Sequence, residues 1–182
     1  QHQFFLMRVK TGRDKGPHLV EHHGQGQHEG GHEQNLDRHH KGRHHVGGTQ
    51  SGTGKTTLKG TSTLSGSTKY LDTRTIENQS NVTWTSGDIY ASNGAVWNNT
   101  ATGVFDIQGN NGFYQNVGNQ SKLNNAGTLK KTVGTGTTTI STQLNNTGTV
   151  QVQTGTLNLT GGGSSSGVFQ VNSGANLAFG GG

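Results

Sequence analysis

The sequence predicts an all-β protein: a parallel β-solenoid (β-helix) of about 18–21 residues per coil, preceded by a disordered His-rich segment. Three observations predict it. A block of sequence returns at a short and nearly constant interval. Within each block apolar residues alternate with polar ones at a period of two. Finally, only 25% of the 182 residues are hydrophobic and 13% charged, whereas a layered core under a charged surface usually draws on about 45–50% apolar residues (Gly included) and about 25% charged ones. A solenoid tolerates this shortage. Its core is a narrow column with few inward side chains per coil, and backbone ladders join coils about 4.8 Å apart.

The first element is the segment 1–47. All ten His lie between His2 and His45, and His22–His45 reads HHGQGQHEGGHEQNLDRHHKGRHH. Beyond Phe4–Met7 it has little to bury, so burial cannot offset the entropy of ordering it, and disorder is the expectation. Composition shifts near Val46-Gly47-Gly48 to Thr, Gly, Asn and Ser punctuated by single apolar residues. Residues 48–59 read as a flexible lead-in. They include Gly52-Thr53-Gly54-Lys55-Thr56, which imitates part of a phosphate-binding loop, but Thr49 stands where that motif needs its first glycine, and neither a buried strand before it nor a helix after it is indicated.

The third element, 60–182, is the repeat. Leu123-Asn124-Asn125-Ala126-Gly127-Thr128-Leu129 returns, at an offset of 21, as Leu144-Asn145-Asn146-Thr147-Gly148-Thr149-Val150. Earlier copies start at Trp97-Asn98-Asn99 and, more degenerately, at Ile76-Glu77-Asn78. Asp88-Ile89 with Asn93-Gly94 matches Asp106-Ile107 with Asn111-Gly112 at an offset of 18, and Gln151-Val152 matches Gln170-Val171 at an offset of 19. Intervals of this size mark solenoids. Val150/Val152, Leu157/Leu159, Phe169/Val171 and Leu177/Phe179 each flank a single outward residue, which argues for strands. Thr154-Gly155 and Ser173-Gly174 supply turns between them. Asn98, Asn124 and Asn145 are placed to stack as a side-chain ladder, and Gly103, Gly127, Gly148 and Gly167 fall at corners, where unusual backbone angles are expected. Five or six coils fit, giving a rod roughly 25–30 Å long. The uncapped ending Gly180-Gly181-Gly182 leaves strand edges open, as in a piece of a longer array or a rod covered by another chain.

Composition also excludes chemistry. Without cysteine there is no disulfide, thiolate metal site or Cys nucleophile. The longest apolar run is Phe4–Met7, so no transmembrane helix is expected. The net charge is +5, but basic and acidic groups number seven and five in residues 1–49 and seven and four afterwards. A nucleic-acid binder would cluster positive charge on one face, so no nucleic-acid partner is expected.

Leu144–Gly182, LNNTGTVQVQTGTLNLTGGGSSSGVFQVNSGANLAFGGG, resembles the β-strand repeats of large bacterial exoproteins, the autotransporter and filamentous-haemagglutinin-like group, and the likeness extends over roughly 56–182. It implies a right-handed β-helix in a secreted or surface-displayed protein, an adhesin or matrix component with no shared catalytic residues.

Four candidate sites remain. His18, His22, His23, His28, His32, His39, His40, His44 and His45 are potential metal ligands, since neutral imidazole binds zinc, copper and nickel. A tract with no fixed geometry would bind them weakly and unselectively, and a solvated tail is the plainer reading. Asp88 and Asp106, taken as equivalent positions on adjacent coils about 5 Å apart, would suit calcium or the acid/base pair of a carbohydrate-active enzyme. Gln151 and Gln170 stand where Asp stood, which points instead to a tolerant outward position. Thr-x-Thr pairs (61/63, 73/75, 83/85, 137/139) do not recur once per coil, so a flat ice-binding array is not expected. Trp84, Trp97, Tyr90, Phe113 and Tyr114 are core if inward and a sugar-stacking platform if outward, and the pattern favours core. The leading expectation is a non-catalytic structural or adhesive protein, extracellular or on the bacterial cell surface. Its polar rod would meet glycans, extracellular matrix or neighbouring solenoid chains, with no cofactor beyond weak Zn/Cu/Ni binding.

Overall fold

The computed structural model describes residues 38–40, 44–45 and 47–180. These residues form three seven-stranded parallel sheets, and each coil contributes one strand to each sheet in turn. Sheet 1 stacks Arg38–His40, Lys55–Leu58, Thr75–Asn78, Val96–Asn99, Lys122–Asn125, Gln143–Asn146 and Gly163–Ser165. Sheet 2 stacks His44–His45, Ser62–Leu64, Asn81–Trp84, Val104–Gln108, Thr128–Val133, Thr149–Val152 and Val168–Val171. Sheet 3 stacks Gly48–Ser51, Lys69–Asp72, Ile89–Ser92, Phe113–Gln115, Thr137–Ile140, Thr156–Leu159 and Asn176–Phe179. The chain is the parallel β-solenoid that its repeats predict.

Period-two alternation becomes in-and-out geometry. In Thr149–Val152, Val150 and Val152 are buried while Thr149 and Gln151 face out. Rung upon rung the inward residues form columns: Ile76–Trp97–Leu123–Leu144 from sheet 1, Val82–Phe105–Leu129–Val150 from sheet 2, and Ile89–Phe113–Ile140–Leu159 from sheet 3. All twelve are buried. Aromatic rings fill part of this core. Phe105 stacks between Trp84 and Trp97, with centroids at 5.7 and 4.6 Å, and Phe113 meets Trp97 edge-on.

The register confirms the repeat. Leu123 pairs with Leu144, Trp97 with Leu123, and Ile76 with Trp97. That column runs Thr56–Ile76–Trp97–Leu123–Leu144–Gly163, and its longest step, from Trp97 to Leu123, interrupts an otherwise even spacing. Much of the long step is the connection 116–121 from sheet 3 to sheet 1. Gln115 staples it: its amide donates to Val117 O (3.4 Å) and Asn119 O (3.3 Å), and its Oε1 accepts from Ser121 N (2.7 Å).

Two expectations need correction. Residues 48–59 are not a flexible lead-in to the coils. Gly48–Ser51 pairs with Lys69–Asp72 and Lys55–Leu58 pairs with Thr75–Asn78, because these polar stretches still offer full backbone ladders to the next rung. Of the His-rich segment, Arg38–His40 and His44–His45 likewise pair with the following rung; the rest of the expectation for 1–47 lies outside the described residues. The second correction concerns Gly103, Gly127, Gly148 and Gly167, none of which has a positive φ. Glycine is required there by close approach. A Cβ at Gly127 would overlap the carbonyl oxygen of Gly103, one at Gly148 that of Gly127, and one at Gly167 that of Gly148. The same carbonyls accept the ladder bonds from Thr128 N, Thr149 N and Val168 N, each at 2.9 Å. Left-handed backbone does occur at the turn glycines Gly155 (φ 64°) and Gly174 (φ 80°), as their turn chemistry predicts.

Candidate functional site

Two asparagine ladders run along sheet 1. The outward one is the predicted stack: Asn145 Nδ2 donates to Asn124 Oδ1 (2.9 Å) and Asn124 Nδ2 to Asn98 Oδ1 (2.8 Å). The inward one escaped the sequence reading, although it uses the second Asn of each Asn-Asn pair. Asn78 Nδ2 donates to Asn99 Oδ1 (2.8 Å), Asn99 Nδ2 to Asn125 Oδ1 (2.7 Å), and Asn125 Nδ2 to Asn146 Oδ1 (2.7 Å). All four residues are buried. Their amides also donate to backbone carbonyls at the sheet 1–sheet 2 corner, Val104 O, Thr128 O and Thr149 O, each at 3.0 Å. The inner ladder satisfies donors and acceptors that a corner would otherwise bury unpaired.

Asp88 and Asp106 are not equivalent. Asp106 lies in sheet 2, in register with Thr83 and Lys130, whereas Asp88 precedes the sheet 3 strand that begins at Ile89. The offset of 18 therefore matched one sheet with another. Ile89 pairs with Phe113 and not with Ile107, so the rung above places Gly112 over Asp88. The stacked carboxylate pair does not exist. Asp106 accepts from Thr132 Oγ1 (2.6 Å) and Gln108 Nε2 (2.9 Å) and lies 3.5 Å from Lys130 Nζ. Thr132 reaches it from a bulge opposite Ile107/Gln108. Asp88 Oδ1 accepts from Gly112 N (2.8 Å). The outward reading of Gln151 and Gln170 holds: they continue the Asp106–Lys130 row and join through Gln151 Nε2 to Gln170 Oε1 (2.8 Å). Thr63 and Thr83 precede Asp106 in that row, and Asp106 interrupts it as a threonine array.

The aromatic residues divide between the two readings. Trp84, Trp97 and Phe113 are core. Tyr90 and Tyr114 face out of sheet 3 and, with Tyr70, form a third ladder. Centroids are 5.7 Å apart for Tyr70–Tyr90 and 5.3 Å for Tyr90–Tyr114, and the interplanar angle widens from 22° to 38°. Tyr70 is 43% exposed. The Tyr114 ring lies over Gly112, where any Cβ would meet it. Burial, then the Asp88 charge, then Tyr90 raise the Tyr114 phenol above its usual range. Among the described residues no hydrogen bond engages the three phenol oxygens. Tyr70 and its register with the other two were legible in Lys69-Tyr70-Leu71, Ile89-Tyr90-Ala91 and Phe113-Tyr114-Gln115, but the offset-18 match hid them.

Two lysines occupy inward positions. Lys69 Nζ donates to Ser67 O (2.9 Å) and Ser86 O (2.8 Å), and burial pushes its ammonium down to about 8, against the pull of Asp88. Lys131, in the column between Ile107 and Val152, donates to Gly109 O (2.6 Å), Asn110 Oδ1 (3.2 Å), Val133 O (3.3 Å) and Thr138 Oγ1 (3.3 Å), and is likewise lowered by burial. Between about pH 8 and the ordinary lysine range near 10.4, folded Lys69 is neutral while the unfolded chain holds its proton. The unfolded state then binds more protons, so stability rises with pH. Above about 10 Tyr114 acts with the opposite sign, because the unfolded phenol ionises first. The urea midpoint should climb between pH 8 and 10 and then level off, and Lys69→Met should reduce the climb. A midpoint flat over that window contradicts the assignment.

His18, His22, His23, His28 and His32 lie outside the described residues, and His39, His40, His44 and His45 are described only by their backbone pairing. Among the described residues no group of three or more His, Cys, Asp or Glu side chains converges on a metal-sized site, and no helix is long and apolar enough to cross a membrane. No protein-family model, curated protein or solved structure matches the chain.

Proposed function

We propose that this solenoid is a structural and adhesive display rod, secreted or held at a bacterial cell surface in the manner of the exoproteins its repeats resemble. It works without catalysis and presents polar rows to glycans, matrix or neighbouring solenoids. The observation that carries this reading is rung-by-rung repetition of outward polar side chains: Asn98–Asn124–Asn145 on sheet 1 and Asp106–Lys130–Gln151–Gln170 on sheet 2. Such rows give a partner many weak, equally spaced contacts whose sum grows with length. The acidic side chains of the rows are tied up by neighbours rather than poised for proton transfer: Asp106 by Thr132, Gln108 and Lys130, and Glu77 by Lys55 (3.2 Å), which holds the glutamate below its usual range.

The test is retention on glycan- or matrix-coated surfaces, with release of reducing ends from the same polysaccharides measured in parallel. The wild-type chain should be retained without turnover, and Asp106→Asn, on sheet 2, should be retained equally; the double variant Asp88→Asn/Asp106→Asn serves only as the control for turnover. Turnover by the wild type that disappears in the double variant would replace this reading with an enzyme.

A further inference from the structure

We propose that the Tyr70–Tyr90–Tyr114 ladder is a docking strip for an uncharged polysaccharide lying along the rod axis. This rests on the display reading and names the face and partner class it would use.

Among the outward rows of the described residues only this one is aromatic; its counterparts on sheets 1 and 2 carry Asn, Thr, Asp, Lys and Gln. Aromatic surface left in water forgoes the stabilisation that burial would give, about 25 cal/mol per Å², so a contiguous aromatic row on an otherwise polar rod marks a contact surface. The three phenol oxygens have no partner among the described residues. A ligand rich in hydroxyls satisfies them while its C–H faces cover the rings, because tyrosine offers an apolar body with a polar tip.

The flanks fit the same ligand. Two positions along each strand, Asp72, Ser92 and Asn116 make a polar row parallel to the tyrosines, and it is internally braced: Asn93 Nδ2 donates to Asp72 Oδ1 (2.7 Å) and Asn116 Nδ2 to Ser92 Oγ (3.2 Å). On the other side Asp88 is fixed by Gly112 N. Each of these carboxylates has a second oxygen, Oδ2, with no bond to protein among the described residues, placed to accept from a hydroxyl. Two carboxylates beside the strip disfavour a polyanion, and the nearby ammonium of Lys69 is turned into the corner carbonyls of Ser67 and Ser86. The local charge therefore selects an uncharged chain over an acidic one. The ladder is also a strip rather than a single subsite. Three rungs place the rings over roughly 10 Å, with interplanar angles of 22° and 38° between successive rings.

Affinity electrophoresis of the full chain through gels containing xyloglucan, hydroxyethyl cellulose or dextran, with polygalacturonate as the acidic control, tests this. Retardation by at least one neutral polymer is expected, with little by polygalacturonate. Tyr90→Ala should weaken binding about tenfold or more, as loss of a central aromatic anchor does. Tyr90→Phe, which keeps the ring and loses one hydroxyl, should fall between. Tyr70→Ser, at the exposed end, guards against a folding defect in Tyr90→Ala, and circular dichroism checks each variant. A folded wild type retarded by no neutral polymer overturns the strip, as does undiminished binding in folded Tyr90→Ala or Tyr70→Ser, or equal binding to polygalacturonate. These outcomes leave the display rod standing if other surfaces still retain the protein. Reducing ends released from a bound polymer, by contrast, sink the non-catalytic rod and spare the strip.

Discussion

Gly127→Ala should be among the most damaging single substitutions in the rod. The new methyl group would overlap two backbone oxygens of the rung below, Gly103 O and Thr100 O. Neither is the movable end of a side chain: Gly103 O accepts the ladder bond from Thr128 N, and Thr100 O accepts the turn bond from Gly103 N. Relief requires the rungs to separate locally, which breaks ladder bonds at the corner. Overpacking of a well-packed interior costs about 1–3 kcal/mol, and two rigid clashes place this one at about 3 kcal/mol or beyond. Gly180→Ala is the control: its Cβ would find only ordinary contacts at 3.5 Å, and its φ is not positive. It should change the urea midpoint by no more than a few tenths of a kcal/mol equivalent, roughly the surface norm. Similar midpoints for the two variants would show that the rungs are not held this close.

The inner asparagine ladder carries the second large effect. Asn125→Ala removes the donor to Asn146 Oδ1 and Thr149 O and the acceptor of Asn99 Nδ2. Leaving a buried polar group unpaired costs about 1–3 kcal/mol each, and the truncation leaves a void besides. A loss of about 2–4 kcal/mol follows. Asn124→Ala, one residue earlier on the outward ladder, exposes its former partners Asn98 and Asn145 to water and should cost about 1 kcal/mol or less. Chemical denaturation of the two variants side by side is the measurement. Equal losses would mean that burial does not set the worth of these bonds.

Both residues belong to Asn-Asn-x-Gly, the most conspicuous repeat in the chain, yet the repeat alone assigned them only in part. It placed Leu123 over Leu144 and Asn124 over Asn145 correctly, because the repeat interval returned identical residues to one sheet. Recurrence did not separate the outward Asn124 from the inward Asn125, since both recur equally well; alternation from the inward Leu123 puts Asn125 on the inner side, and only the corner shows which carbonyls it meets there. The offset of 18 misled for a related reason. Coil length is uneven: the step from Trp97 to Leu123 is longer than those from Ile76 to Trp97 and from Leu144 to Gly163. A local match between Asp88-Ile89 and Asp106-Ile107 therefore joined two faces of the rod. That match set two unrelated carboxylates at equivalent positions, where they would have suited calcium or acid/base work, and concealed the tyrosine ladder.

The amino-acid sequence by itself determined the class of architecture: period-two alternation makes strands, and a short repeat with so few apolar side chains leaves a stacked coil as the way to bury them. Tertiary structure alone decided which residues share a face. In a parallel stack the register depends on how much chain each corner absorbs, and corners are set by backbone packing between rungs, as at Gly103, Gly127 and Gly148. A residue added within a strand would turn the side chains after it to the other face, whereas a corner absorbs several, as the 116–121 connection does, so the candidate site on sheet 3 exists only once the corners have been closed.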